Sequence, residues 1–326
     1  MFDVVAIGEL LIDFTPAGVG GNGAALFARN PGGAPANVLA SSGRLGAKTA
    51  FIGKVGNDDF GRFLKETLDE LGIDTHNLVL TDEVHTTLAF VHLDPSGDRS
   101  FSFYRKPGAD VLLREDELDL DLLRQTGILH FGSLSLTDEP ARAATFKAVQ
   151  TAKDAGAVIS YDPNYRAPLW NSKEEAVEQM KAGLAYADVV KLSEEELTLL
   201  TGETDLNAGA RVIQKAGVSL VLVTLGKKGA YYRLGEHSNI LPTYDVHTID
   251  TNGAGDAFTG AVHYGLKGKG VEEIRSLSVA ELETIIDYAN AVGSLVTSKS
   301  GAIPAMPLQE DVLDCQTKVS HLIVED

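Results

Sequence analysis

Cysteine is almost missing: Cys315 is the single one in 326 residues. One thiol excludes an intramolecular disulfide and fits a reducing compartment, so a cytoplasmic chain is expected. Cys315 lies in a stretch, Glu310 to Leu322, that reads as a peripheral amphipathic helix, a poor setting for a catalytic nucleophile. Basic residues are also scarce: 28 Lys and Arg stand against 46 Asp and Glu, a formal charge of -18. Such a surface repels phosphate backbones, which argues against nucleic acid as a partner. The acidic excess itself reads as a solvated face. No apolar run is long enough to span a bilayer: residues 4–12 (VVAIGELLI) are interrupted by Glu9, followed closely by Asp13, and preceded by no basic segment. No membrane partner is expected. The eight histidines lack metal-ligand spacing, against a structural zinc site. There is no G-x-x-x-x-G-K-[ST], which excludes a P-loop. Residues 8–13 read Gly-Glu-Leu-Leu-Ile-Asp, which argues against a G-x-G-x-x-G dinucleotide site after the first strand.

Hydrophobic residues are plentiful, 44% of the chain, ample for a buried core. They fall in a repeating order of strand, loop and helix. Short β-branched runs predict strands over Asp3–Gly8, Ala50–Val55, Ile128–Gly132, Ala157–Asp162, Asp188–Leu192 and Ser219–Thr224. Helical periodicity predicts helices over Pro35–Leu45, Phe60–Leu71, Pro140–Ala155, Glu174–Tyr186 and Glu194–Thr201, then Gly255–Lys267 and Leu282–Ser298. Alternation of this kind implies an α/β three-layer sandwich with a mostly parallel sheet covered on both faces. One stretch departs from it. Residues 86–93 and 99–104 read as a β-hairpin around Asp94-Pro95-Ser96-Gly97-Asp98. The glycine-rich segment Thr15–Pro31 has no helical period. These two insertions, 15–31 and 85–108, are expected to form a small β-sheet lid. The α/β core would then be 1–14, 32–84 and 109–326. No internal repeat or long linker argues for a second full domain.

Two glycine-rich runs carry chemistry. The first is Asp250-Thr251-Asn252-Gly253-Ala254-Gly255-Asp256, placed between a strand-like segment, Val246–Ile249, and a helix. Gly253, Ala254 and Gly255 can aim backbone N–H groups at one point at the start of that helix, an anion site. A carboxylate there either caps the helix or takes a proton from a hydroxyl that attacks a bound phosphoryl group. The second run is Pro31-Gly32-Gly33-Ala34-Pro35-Ala36-Asn37. Its glycines allow close backbone approach and Pro35 suits a first helical turn. It is either an ordinary entry into a helix or a ligand loop whose Asn37 reads hydroxyl groups.

Together the two runs resemble the signatures of the ribokinase-like, PfkB-type carbohydrate kinases: Gly32–Asn37 the first, and Asp250–Asp256 with Gly260-Ala261 the second. His263 stands where the second signature usually carries a small or apolar residue. The resemblance spans the chain from Gly8–Phe14 to Gly301-Ala302-Ile303-Pro304. Within the family, Gly8–Phe14, Gly32–Asn37, Phe103–Asp110 and Tyr161–Trp170 are similar to fructokinase segments. The last block is equally similar to 2-keto-3-deoxygluconate kinases.

The resemblance implies a ribokinase-like fold and transfer of the ATP γ-phosphoryl to a primary hydroxyl of D-fructose. By the same token, Asp256 is the base and Gly253, Ala254 and Gly255 form the anion hole. Asp13, Gly32, Gly33 and Asn37 would hold the sugar, and Arg105 would reach the sugar or the incoming phosphate. Asn164, Arg166 and Lys191 would lie along the triphosphate, with Thr224, Gly226, Gly229 and Asn290 around the nucleotide. Glu196 would organise Mg²⁺ through water; Ser193 and Glu196 also fit a capping box, and both readings can hold at once. A monovalent cation such as K⁺ near Asp250 and Ser300, and a homodimer through the lid, complete what the resemblance implies.

Overall fold

The computed structural model describes residues 1–93 and 99–324; the expected turn Asp94–Asp98 lies outside the described residues. In chain order the strands are β1 (Phe2–Ile7), β2 (Leu11–Val19), β3 (Ala25–Gly32), β4 (Thr49–Gly56), β5 (Leu78–Thr81), β6 (Leu88–Leu93), β7 (Arg99–Tyr104), β8 (Thr126–Gly132), β9 (Val158–Asp162), β10 (Val189–Ser193), β11 (Leu220–Thr224), β12 (Ala230–Leu234) and β13 (His237–Leu241). The helices are α1 (Ala34–Arg44), α2 (Asp59–Glu70), α3 (Leu120–Arg124), α4 (Ala141–Asp154), α5 (Lys173–Leu184), α6 (Glu194–Thr201), α7 (Leu206–Lys215), α8 (Ala254–Leu266), α9 (Val271–Arg275), α10 (Val279–Thr297) and α11 (Gln309–Lys318).

Strand β1 shows why the core has two faces. Its side chains alternate, so Val4 and Ala6 enter one apolar cluster and Val5 and Ile7 the other. The first cluster is closed by α1, α8 and α10, the second by α4, α5, α6 and α7. Each fully buried aliphatic side chain contributes about 1.5–3 kcal/mol. The sheet between them has nine strands in the order β13-β12-β11-β10-β9-β8-β1-β4-β5. All neighbours from β11 to β5 pair in parallel; β12 and β13 add an antiparallel edge. The carboxyl ends of β9 and β10 and the start of α8 therefore open on one side, the side where open α/β sheets bind ligands.

The second sheet has four strands, β3-β2-β6-β7. It departs from expectation at its first boundary. Strand β2 opens at Leu11 rather than near residue 15, because Leu11 and Ile12 already pair with Gly32 and Pro31. The glycine-rich stretch is also more regular than its composition suggests: β2 and β3 form an antiparallel pair, and β2 runs parallel to β6. Phe14 ties this sheet to the rest, stacking on Phe90 at 4.8 Å and meeting Phe60 of α2 edge-on at 5.8 Å. The expected strand over Val246–Ile249 does not form. Ile249 is 58% exposed, and among the described residues no sheet edge runs beside it. The segment is held instead by single bonds, Asp245 N–H to the Ser320 carbonyl and Ile249 N–H to the Thr297 carbonyl. Among the described residues no helix is long and apolar enough to cross a membrane.

Candidate active site

Helix α8 starts at Gly253, whose φ of 75° is the left-handed conformation that glycine adopts at no steric cost. The turn before it is braced by Asp250, whose carboxylate accepts from the N–H of Asn252 (2.8 Å) and of Gly301 (3.0 Å). The Ala254 N–H makes a long bond to the Thr251 carbonyl (3.4 Å), while those of Gly253 and Gly255 take no backbone acceptor among the described residues. Lys191 stands over this turn: a Cβ added to Gly255 would lie 2.9 Å from its Nζ. The helix start thus gathers N–H groups, the positive end of a helix dipole and an ammonium group.

Asp256 sits in the first turn of α8 and is 9% exposed. Its Oδ2 accepts from Asn37 Nδ2 at 2.8 Å, and Asn164 Nδ2 lies 3.4 Å from Oδ1. Burial raises its pKa and the Asp162 carboxylate adds to the rise, while Asn37, Lys191 and Arg166 oppose it. Asn164 holds its place through a φ of 46°, a left-handed conformation stabilised by its N–H donating to Asp162 Oδ1 at 3.0 Å. Asp162 also accepts from Lys191 Nζ at 2.9 Å, in a pair that is nearly buried on both sides. Burial opposes the charge on Lys191, but Asp162, Glu196 and Asp256 outweigh it and raise its pKa.

Three hollows meet here. A recess of about 50 Å³ between the small sheet and the core is lined by Asp13, Gly33, Asn37, Asn164, Arg166 and Asp256. A cleft of about 1520 Å³ runs from Asn164 and Arg166 past Lys191 and Glu196 to Gly253, Gly255 and Asp256. A cavity of about 860 Å³ holds Thr224, Gly226, Gly229 and Asn290, and shares Thr251 and Gly255 with the cleft. Gly32, Arg105, Asp250 and Ser300 line none of the three; the other site residues named from the sequence gather around one centre. Gly32 and Gly33 shape the recess by being small. A Cβ at Gly32 would stand 2.2 Å from Asp13 Oδ2, and one at Gly33, where φ is 113°, would stand 2.4 Å from the Glu9 carbonyl. Burial lifts the Asp13 carboxyl to about 7; Arg166 pulls it down and Asp256 pushes it up.

Arg105 is placed otherwise than expected. It is 8% exposed and its guanidinium is spent on Asp110 (2.7 Å), Thr137 (2.9 Å) and the Leu134 carbonyl (2.8 Å). It braces the wall behind the recess and is not among the residues lining it. The reason is local: Asp110 sits five residues on, at the end of the hairpin, and an ion pair out of water needs its partner close. Glu196 has both oxygens engaged, Oε2 by the Ser193 N–H (2.8 Å) and Oε1 by the Tyr165 N–H (2.7 Å). The capping box is real, and the carboxylate still borders the cleft. Each oxygen keeps a second lone pair, which suits a contact to a hydrated cation rather than direct ligation. No group of three or more His, Cys, Asp or Glu able to hold a metal occurs among the described residues.

Two residues of the site escape a sequence reading. Asp162 lies inside a quoted block, but its role depends on Lys191 from the neighbouring strand. Glu9 looked like an interruption in an apolar run. It is 3% exposed and its Oε1 accepts the Ala34 N–H at 2.9 Å, capping α1 from 25 residues away. Burial raises its pKa from 4.5 to about 7. Between these values the unfolded chain has released a proton that the folded chain keeps, so stability declines as pH climbs across that window. Glu9→Gln should flatten the decline. Thermal melts should match near pH 5 and favour the variant at pH 8, by on the order of 3 kcal/mol for a shift of this size. Parallel melting curves at both pH values would contradict the assignment.

A buried carboxylate shared between a small polar recess and a cleft with an anion-binding helix start is the site of a phosphotransferase acting on a small hydroxylic substrate. The chain belongs to the pfkB family of carbohydrate kinases, whose profile matches residues 1–309. It is 44% identical to a probable fructokinase-4 from Arabidopsis thaliana over 313 residues, 95% of each chain. Among solved structures it is similar to a fructokinase with bound ATP from Xylella fastidiosa (TM-score 0.91, 34% identity, 98% of this chain and 99% of that one). It is also similar to a fructokinase double mutant from Vibrio cholerae O395 in a fructose, ADP and potassium ion bound form (TM-score 0.86, 36% identity, 96% of this chain and 97% of that one).

Proposed function

We propose that this chain transfers the γ-phosphoryl group of ATP to the primary C6 hydroxyl of D-fructose, giving ADP and fructose 6-phosphate. The observation that carries the reading is the position of Asp256, which lines both the recess and the cleft and so faces acceptor and donor at once. The sugar occupies the recess, its hydroxyls bonded by Asp13, Asn37 and the backbone at Gly32 and Gly33. ATP lies with its base in the cavity by Gly226, Gly229 and Asn290 and its phosphates toward Gly253–Gly255. Asp256 takes the proton of the attacking hydroxyl while the N–H groups of Gly253, Ala254 and Gly255, with Lys191 and Arg166, stabilise charge on the phosphoryl oxygens. Mg²⁺ on the phosphates would supply charge neutralisation, and Glu196 would hold it through water. A monovalent cation such as K⁺ beside Asp250 and Ser300 belongs to the same reading. The small sheet acts as a lid that excludes water, which otherwise competes as acceptor.

ADP release measured over a panel of ketoses, aldoses, 2-keto-3-deoxygluconate and nucleosides tests the substrate. Fructose should give the highest kcat/KM; silence with fructose beside turnover of another sugar overturns the choice. The pH profile gives a second check. A carboxyl raised to about 7, as at Asp13, is protonated below that pH and loses the charge and one of the acceptor oxygens that hold sugar hydroxyls. We expect kcat/KM for the sugar to fall as pH drops through 7, and a profile flat to pH 5 would contradict it. Exposed Val19, Leu26, Phe27 and Tyr104 on the small sheet support a homodimer through the lid, and the single thiol, Cys315, fits a cytoplasmic location. A sedimenting monomer at micromolar concentration would count against the dimer.

A further inference from the structure

Below the carboxylate, inside the core, lies a polar cluster that the chemistry above does not use. His130 of β8 and Ser160 of β9 are register partners, and His130 Nδ1 is 3.1 Å from Ser160 Oγ. His263 of α8 completes the cluster: its Nε2 is 2.6 Å from the same hydroxyl. All three side chains are 2% exposed or less. His263 Nδ1 is buried with no hydrogen-bond partner. A neutral imidazole carries one donor and one acceptor, and a buried N–H left unpaired is the rarer defect. The proton of His263 therefore belongs on Nε2. That sets a direction: His263 donates to Ser160, and Ser160 donates to His130. Burial keeps both rings uncharged.

Geometry gives this chain its meaning. Asp256 and His263 are seven residues apart on α8, two turns, and so lie on one face of it. Ser160 and Asp162 are two residues apart on β9 and share one face of that strand. Helix and strand are thus joined by two polar rungs. The upper one runs from Asp162 through Asn164 to Asp256, and the lower one joins Ser160 to His263. Much else that α8 buries is apolar or small, such as Ala257, Ala261 and Val262. Apolar packing is not directional and leaves axial sliding and rotation weakly fixed. A short hydrogen bond two turns below the carboxylate fixes both.

We propose that His263 is a positioning residue for phosphoryl transfer: through Ser160 it sets the height and rotation of α8 against β9, and with them the placement of Asp256 and the anion-binding turn opposite Asn164 and Lys191. The inference rests on Asp256 as the base. It is tested by comparing His263→Gln, His263→Asn and His263→Leu, each checked by circular dichroism and thermal melting. The glutamine amide nitrogen takes the place of Nε2 and can donate to Ser160; the asparagine nitrogen takes the place of Nδ1 and cannot.

The expected result is a kcat about tenfold lower for the Asn and Leu variants, within threefold of wild type for Gln, and KM values for sugar and ATP within twofold throughout. A merely structural role would lower melting temperature in all three without separating Gln from Asn in kcat. Asn or Leu within twofold of wild-type kcat, or Gln no better than Asn, overturns the proposal. If the Leu and Asn variants do not fold, Ser160→Ala decides. A fivefold or greater loss of kcat supports the strut, and an unchanged kcat overturns it. Rates are scored as ratios to wild type with whichever sugar is turned over, so a wrong sugar leaves the test intact. A wrong base is exposed separately by Asp256→Asn.

Discussion

Asp256→Asn should lower kcat about a thousandfold, in the middle of the range that general-base catalysis supplies, and leave the melting temperature unchanged or slightly raised. The asymmetry follows from its surroundings. The amide has the shape of the carboxylate, and its oxygen still accepts from Asn37, whose Nδ2 lies 2.8 Å away in the native site. The native carboxylate is nearly buried and faces Asp162, so folding gains nothing from its charge. What the amide lacks is the ability to take a proton. KM for both substrates should stay within a few-fold, because the recess and cleft keep their shape. A steady-state assay with a melting curve reads both effects. A variant retaining a tenth or more of the native kcat would remove Asp256 from the role of base.

Lys191→Met should be costly to the fold as well as the reaction. The Lys191–Asp162 pair is 2.9 Å long, with side chains 11% and 3% exposed. Removing one partner of a buried pair strands the other charge, at a cost of about 3–5 kcal/mol. Here Asp162 would be stranded beside Glu196 and Asp256, both acidic, so the upper end of that range is expected. Urea denaturation should show it directly. Adding Asp162→Asn to the same chain removes the stranded charge and should recover more than half the loss, while turnover stays low because the ammonium over Gly255 is gone. A single variant as stable as the native chain would mean that Asp162 finds another partner.

Much of this architecture is legible in the sequence alone. The alternation of strands with helices announces a parallel sheet, since each half buries its apolar face only against the other kind of element. Each glycine-rich run alone also fits an ordinary entry into a helix; it is the pair in this order, resembling two family signatures, that points to a site. What escaped was non-local. Thr15–Pro31 gave no strand pattern of its own, and its strands depend on pairing β2 with β6, some 75 residues further on by register of Asp13 with Ala89. Val246 and Ile249 mimic a strand, but among the described residues no neighbour offers them a ladder. Arg105 looks like a ligand-facing cation in the sequence, but Asp110, Thr137 and Leu134, all from beyond the hairpin, close around it. His263 was visible as a departure from a signature, yet its partner Ser160 sits 103 residues away.

The triple use of Glu196 bears on how this chain can drift over evolutionary time. The same carboxylate closes the first turn of α6, anchors the loop at Tyr165 and borders the cleft. Glutamine would offer an acceptor to one of those N–H groups and a donor to the other. Aspartate, a methylene shorter, would reach at most one. Almost every exchange there is penalised in three currencies at once, so the position should be closed to neutral change. The Ser193 side chain also borders the cleft but makes one hydrogen bond, accepting the Glu196 N–H at 3.1 Å, which asparagine or aspartate supply as well and threonine nearly so. Two positions three residues apart, equal partners in one capping box, should therefore accumulate substitutions at very different rates.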